Sequence, residues 1–165
     1  MKIKSIAKWA LVGISVALAV LWAVPAQGAT DTHTVTFDNN SAITLTIPET
    51  TYGFGDVSPA SAATSANDVV NATVKSNAAW SLKIKGSANF ISGSNNIAIG
   101  RLQWSENNST PSWTTMTTSD VEVASGSATG ETGVTKGMEY KLGLTYDDVV
   151  ADGYSATITY TATNP

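Results

Sequence analysis

The sequence predicts an all-β protein, and two observations carry that prediction. Apolar and polar residues alternate with a period of two in one run after another, which is the pattern of strands that bury one face. Thr and Ser make up more than a quarter of residues 29–165, and no window after residue 28 has helical apolar spacing. Antiparallel sheets that cover each other's apolar faces are therefore expected.

The start of the chain, residues 1–28, is of a different kind. Three lysines precede an unbroken apolar stretch over 9–24, and a proline and the small-residue run AQGA follow. This is the pattern of a secretory signal peptide, with cleavage expected after Gly28 or Ala29, or else after Ala26. Sixteen apolar residues are fewer than the roughly 20 that span a bilayer as a helix.

Charge and cysteine content narrow the class further. The leader holds three of the nine basic residues and none of the thirteen acidic ones, so residues 29–165 carry a net charge of −7. An acidic chain lacks the basic surface that binds nucleic acid or anionic membranes. Without any cysteine, this single domain must gain its stability from strand pairing and packing. We expect it to be secreted or held at the cell surface, with no membrane contact after leader cleavage.

Four alternating runs occupy the first half of the domain. HTVTF (33–37) and AITLTI (42–47) are separated by the polar DNNS, which predicts a hairpin. DVVNATVKS (68–76) and WSLKIK (80–85) follow, each with its apolar side chains on one face. Trp80 alternates with two aliphatic residues, which predicts a place in the core.

The second half is irregular before two strong runs at its end. Short strands are predicted near 97–105 and 121–124. MEYKLGLTY (138–146) and YSATITYTA (154–162) each place apolar residues on one face, and the linker between them is short enough for an antiparallel hairpin. Exposed loops are predicted at 92–96 and 106–112.

Seven to nine short strands, each with one buried face, predict a two-sheet antiparallel β-sandwich with immunoglobulin-like Greek-key order. Catalytic signals are nearly absent: the one histidine is His33, there is no thiol, and G-x-S-x-G does not occur. Asp147 and Asp148 are neighbours and would point to opposite faces of a strand. The sequence therefore indicates a protein that is not an enzyme and that holds no cofactor.

Two polar loops offer weaker hypotheses. DDVVADG (147–153) brings together three carboxylates that could bind calcium, although a turn made soluble by aspartate explains the same residues. Trp104 and Trp113 flank the polar loop SENNSTPS and could stack on sugar rings, as in a carbohydrate-binding module. The other interpretation places Trp104 in the core and Trp113 over the loop. The three carboxylates of the calcium hypothesis are those of Asp147, Asp148 and Asp152.

Residues 29–38 raise the possibility of strand exchange. They form a short Thr-rich run that cleavage of the leader would leave at a free N-terminus, and such a strand can pair with the sheet edge of another subunit. Val35 and Phe37 are its only strongly apolar side chains. An ordinary first strand, paired within its own domain, explains the same run.

The stretch DVVNATVKSNAAWSLKIKGSANF (68–90) resembles the first signature region of WxL-type surface domains of Gram-positive bacteria, through Trp80-Ser81-Leu82 and Phe90. FGDV (54–57) is similar to a Phe-Gly element upstream in such domains. The closing YSATITYTATNP resembles their last strand, with Tyr160-Thr161-Ala162 where the family has a second Trp-x-Leu.

This resemblance implies a surface domain that attaches noncovalently to cell-wall glycan. The same architecture also resembles exported filament subunits, in which an N-terminal strand completes a neighbour's sandwich. We therefore predict an exported, non-catalytic structural protein of the cell surface or extracellular space, which either self-assembles or attaches to the envelope. A carbohydrate-binding module that uses exposed tryptophans is the alternative.

Overall fold

The computed structural model describes residues 32–65, 68–106 and 111–165. The chain divides into two compact units, Met1–Phe37 and Asp38–Pro165. The predicted leader, and residues 29–31 of the predicted exchange strand, lie outside the described residues. Of the first unit, residues 32–37 are described, and they form no strand.

The second unit, which we call the body, is built from strands. Among its described residues, nine of the eleven strands have three or more residues, and a single 3-10 turn at Ile99–Arg101 interrupts them. The strands are β1 (Ile43–Thr46), β2 (Ala63–Thr64), β3 (Val70–Ser76), β4 (Trp80–Gly86), β5 (Phe90–Ser92), β6 (Asn95–Ile97), β7 (Leu102–Glu106), β8 (Thr114–Thr115), β9 (Val121–Gly126), β10 (Val134–Leu142) and β11 (Ile158–Thr163).

Two antiparallel sheets make a sandwich, so the predicted all-β sandwich class is confirmed. The larger sheet has the order β1-β3-β10-β7-β8, with β2 also paired to β10, and the smaller sheet has the order β11-β4-β9. A constant-type immunoglobulin domain keeps its fifth strand beside the second and its sixth in the other sheet. Among the seven described strands of four or more residues, the fifth (β9) pairs with the third (β4), and the sixth (β10) pairs with the second (β3). The strand order therefore differs from that of a constant-type immunoglobulin domain.

The core lies between the sheets, where the alternation of each strand points its apolar side chains. In β4, Trp80, Leu82 and Ile84 are buried as predicted, while the residues between them are half-buried. They meet the buried face of β3 and the half-buried face of β11. Burial of one full face from each sheet is the main stabilising contribution, at about 25 cal/mol per Å² of apolar surface.

Both predicted hairpins are wrong. Residues 33–37 form no strand, and β1 pairs instead with β3, with Ile43 opposite Ser76. The run predicted at 138–146 forms β10 and pairs with β3 and β7, whereas the run predicted at 154–162 forms β11 and pairs with β4. The physical reason is that β3 and β7 occupy both edges of β10, so β11 pairs in the other sheet and packs against β10 across the core.

Smaller departures concern the loops. The loop predicted at 92–96 is a tight hairpin between β5 and β6, in which Gly93 has a positive φ of 57°. Strand β10 runs from 134 to 142 rather than from 138 to 146, because the chain beyond it is held as a loop by side-chain contacts described below. The short strands predicted near 97–105 and 121–124 are confirmed as β6, β7 and β9.

Candidate functional site

An open groove of about 910 Å³ lies on the body where two loop segments face each other. One wall is the segment 49–57, which follows β1, and the other is the segment 150–157, which leads into β11. The floor is made by core residues of both sheets, and the groove has the size of a binding site. The floor residues are Val70, Phe90, Ile97, Leu102, Tyr140, Leu142, Ile158 and Tyr160.

Aromatic rings form much of the first wall. Tyr52 and Phe54 alternate along the segment, and their rings meet edge to face with centroids 5.0 Å apart. The Tyr52 ring also lies 6.4 Å from that of Tyr140 in the floor. Tyr52 is nevertheless 40% exposed, so part of this aromatic residue remains open to a partner. Exposed apolar surface at a concave site is typical of a place where a partner binds.

A buried phenol and a half-buried one join the sheets beneath the groove. The hydroxyl of Tyr140, in β10, lies 2.6 Å from that of Tyr160, in β11. Burial raises the pKa of both phenols, and the neighbouring Tyr140 hydroxyl further raises the pKa of Tyr160. Both side chains are therefore neutral at physiological pH, and each phenol has the other as its hydrogen-bond partner.

The one carboxylate at the start of the first wall is held by its neighbours. Asn71 donates its side-chain amide to Glu49 Oε1 and its backbone N–H to Oε2, both at 2.9 Å. The side-chain hydrogen bond from Asn71, followed by the backbone one, lowers the pKa of Glu49 below its usual value. The Glu49 carboxylate thereby holds the start of the first wall against Asn71, and both of its oxygens accept hydrogen bonds from the protein.

Part of the described backbone that lines the groove is also without hydrogen-bond partners. Among the described residues, no backbone hydrogen bond ties residues 50–57 to another segment. Across the groove, Ser155 exchanges backbone hydrogen bonds with Ile91, and Val150 projects into solvent at 96% exposure. A strand that entered the groove would therefore find unpaired N–H and C=O groups on the first wall.

An ion pair holds the loop that follows β10. Arg101 Nε lies 3.0 Å from Oδ2 of Asp148, and Arg101 also donates to the Thr145 hydroxyl at 2.7 Å. Thr145 in turn donates its backbone N–H to Asp148 at 2.7 Å. Burial opposes ionisation of Asp148, but the Thr145 hydrogen bonds and the Arg101 charge outweigh it and lower its pKa.

These contacts bear on the calcium hypothesis. The Asp148 carboxylate is turned to Arg101, while Asp147 and Asp152 are exposed. In the part of the chain that the structure describes, no three acidic, histidine or cysteine side chains lie close enough together to hold a metal. The Arg101 side chain therefore supplies the positive charge that holds Asp148 in this loop.

The predicted pair of stacking tryptophans does not form. Trp104 is only 6% exposed, because it lies in register with buried Leu102 on the inward face of β7. Trp113 is half-buried beside the loop, with the Lys141 ammonium 5.8 Å from its ring centroid. Trp104 therefore contributes to the core, and the hypothesis of a joint sugar platform is wrong for this residue.

The residues of the Trp-x-Leu stretch are interior. Trp80 is 3% exposed and Leu82 is fully buried, and both pack with Ala72 and Val74 of β3. Tyr160 is half-buried and reaches both core clusters from β11. Trp80 and Leu82 therefore offer no surface to a ligand, whereas Tyr160 contributes to the floor of the groove.

The two apolar side chains of the predicted exchange strand are exposed. Val35 and Phe37 show 77% and 85% of their surfaces to solvent. The body begins just after them, and Asn77 fixes this beginning: its side chain donates to the Asn40 carbonyl and accepts from the Ala42 N–H, at 2.9 and 2.7 Å.

Sequence reasoning missed the groove and its aromatic wall. The spacing of Tyr52 and Phe54 was a weak sign of a shared face, but two prolines and two glycines near them hide any strand pattern. The ion pair of Arg101 with Asp148 spans 47 residues and has no local signal.

Comparison with known proteins gives no assignment. No protein-family model matches this chain, and no curated protein matches its sequence. No helix within residues 32–65, 68–106 and 111–165 is long and apolar enough to cross a membrane. The class that the fold and the site define is a β-sandwich domain with an open groove that is lined by both apolar and polar side chains.

Proposed function

We propose that this protein is an exported, non-catalytic structural subunit that works at the cell surface or in the extracellular space by assembling with copies of itself. One observation carries the proposal: the chain has exposed apolar side chains in the segment before its body, and the body has an open groove with aromatic side chains in one wall. Val35 and Phe37 are the donors of apolar surface, and the wall of Tyr52 and Phe54 is the acceptor. Apolar surface left open on both sides favours association.

Three further features support this proposal. The leader pattern over 1–28 is that of an exported protein. Three titratable groups of the groove already have protein partners, since Glu49 hydrogen-bonds to Asn71 and Tyr140 to Tyr160. The resemblance to WxL-type domains and to exported filament subunits points to the same setting.

Sedimentation velocity of the chain that begins at Ala29, over a hundredfold range of concentration, tests the proposal. We expect species heavier than the monomer to grow with concentration. Because every copy carries a net charge of −7 after leader removal, added salt should screen the repulsion between copies and promote association. The far-UV circular dichroism spectrum should keep its β-sheet form throughout.

A monomer at every concentration and salt level would contradict self-assembly. Retention of that monomer on purified peptidoglycan, measured by cosedimentation, would then favour attachment to the envelope instead. A Trp113→Ala variant serves as a control in both assays, because the Trp113 side chain lies outside the groove and a structural subunit should not need it.

A further inference from the structure

We propose that copies of this protein join head to tail, with Phe37 of one copy seated in the groove of the next. This inference rests on the proposed function and names the surfaces and the polarity of the assembly. It follows from the positions of Asn40 and of the groove on the body, and from the exposed apolar side chains and unpaired backbone groups that the N-terminal segment and the groove both have.

The first residues of the body lie at one end of the sandwich. Asn77, in the turn between β3 and β4, holds Asn40 and Ala42 at this end. The end of the chain meets the same turn, since Asn164 donates to the Ala79 carbonyl at 2.8 Å. Any segment before Asn40 therefore departs from the β3–β4 end of the body.

The groove lies at the other end. Strand β1 runs away from Asn77, and by Glu49 the chain has reached Asn71 at the start of β3. Strand β11 begins beside the groove at Ile158, opposite Gly86 at the far end of β4. Six residues of extended β3 separate Asn77 from Asn71, which is about 20 Å at 3.3 Å per residue.

Residues 33–37 and the groove both have exposed apolar side chains and backbone groups without strand partners among the described residues. Val35 and Phe37 are two residues apart, so an extended backbone projects both side chains to one face. Both are exposed, and no strand pairing uses the backbone of residues 33–37 within the described chain. At the groove, Tyr52 exposes an aromatic face and residues 50–57 have unpaired backbone. A strand that enters the groove can satisfy both deficits at once, as in β-strand addition.

The placement at opposite ends sets the form of the assembly. When the donor and acceptor surfaces are different and lie apart, the interface is heterologous, and repeated use of it produces a ring or an open chain. A pair of copies that each use both surfaces on one another would need the two ends of the body to meet. The geometry therefore favours a chain that grows beyond the dimer.

The test uses chains that begin at Ala29, each with one surface impaired. Phe37→Ala removes the donor side chain, and Thr36→Ala, on the opposite face of the same segment, is its matched control. Tyr52→Ala opens the acceptor wall, and Val150→Asp places a charge at the rim without touching the core, because Val150 is 96% exposed. Tyr146→Ala is the acceptor control, since Tyr146 is 86% exposed and does not line the groove.

Light scattering and sedimentation should show wild-type masses beyond the dimer. Phe37→Ala, Tyr52→Ala and Val150→Asp should each weaken association about 10- to 100-fold, the range expected for loss of one buried apolar side chain. The two control variants should assemble as the wild type does. A mixture of Phe37→Ala with Val150→Asp chains should form one-to-one pairs that do not grow, because that mixture contains one working donor and one working acceptor.

Several results would overturn the inference. Unchanged assembly of the Phe37 and groove variants would show that copies meet through other surfaces, and self-assembly itself would then stand. Wild-type growth that stops at the dimer would contradict the head-to-tail arrangement. A wild-type monomer at all concentrations would remove the proposed function together with this inference.

Discussion

The hydroxyls of Tyr140 and Tyr160 lie 2.6 Å apart and form a hydrogen bond that joins the two sheets of the sandwich. Each of the two strands contributes one phenol, of which Tyr140 is buried and Tyr160 is half-buried. The hydrogen bond therefore connects β10 to β11 across the core.

Tyr160→Phe should destabilise the body by about 1–3 kcal/mol, because it leaves the buried hydroxyl of Tyr140 without its partner. The double variant Tyr140→Phe/Tyr160→Phe should cost less than the sum of the two single variants, since it removes both polar groups together. Urea unfolding of the four chains gives the comparison. Strict additivity would show that the two hydroxyls do not interact in solution.

The same pair predicts a loss of stability at alkaline pH. Burial raises the pKa of both phenols in the folded state above that of the unfolded chain. Below about pH 10 both states keep these protons and there is no effect; above it the unfolded chain releases protons that the folded chain retains. The free energy of unfolding should therefore fall as pH rises above about 10. The double phenylalanine variant should show a shallower fall than the wild type in urea unfolding at pH 9 to 11.

Trp104→Ala should act on stability rather than on sugar binding. The side chain is buried in the core, and truncation of a buried tryptophan costs about 3–5 kcal/mol through lost contacts and the remaining cavity. Trp113→Ala should cost much less, because Trp113 is half-buried and makes its named contact with Lys141 at the surface. Thermal unfolding followed by near-UV circular dichroism separates the two. Equal losses would place Trp113 in the core as well.

How far the sequence determines this fold can be seen by comparing β4 with β10 and β11. In β4 the period-two pattern alone predicts that Trp80, Leu82 and Ile84 are buried, because side chains of a strand alternate between two faces. The same pattern in β10 and β11 says which face is buried and leaves the neighbouring strand undetermined. A short linker favoured a hairpin, but β3 and β7 occupy both edges of β10, and β11 therefore lies in the opposite sheet.

The groove could not be predicted for a related reason. Its walls come from segments without an alternating pattern, and its floor comes from strands that are distant in sequence. The apolar spacing of Val35 and Phe37 did indicate a strand, but a strand needs a pairing partner, and the described chain gives these residues none. Local pattern therefore identified the candidate donor and missed the candidate acceptor.

Gly133, just before β10, has a backbone that only glycine adopts without strain, and it also approaches β3 closely. Its φ is +73°, and a Cβ there would lie 2.9 Å from Cγ of Lys75 and 3.0 Å from the Val74 carbonyl oxygen. Gly130 provides a matched control, because its φ of +65° is similar but a Cβ would meet nothing within 4 Å. The pair separates backbone strain from the steric contact.

Gly130→Ala should cost about 1–2 kcal/mol, the strain of a left-handed conformation for an L-residue. Gly133→Ala should cost more, because the added methyl group must also displace the backbone of β3, and overpacking of this kind adds about 1–3 kcal/mol. Urea unfolding of both variants at one pH gives the difference directly. Equal losses would mean that the entry to β10 can move away from β3, and β10 would then be anchored mainly by its pairing with β7 from Met138 onward.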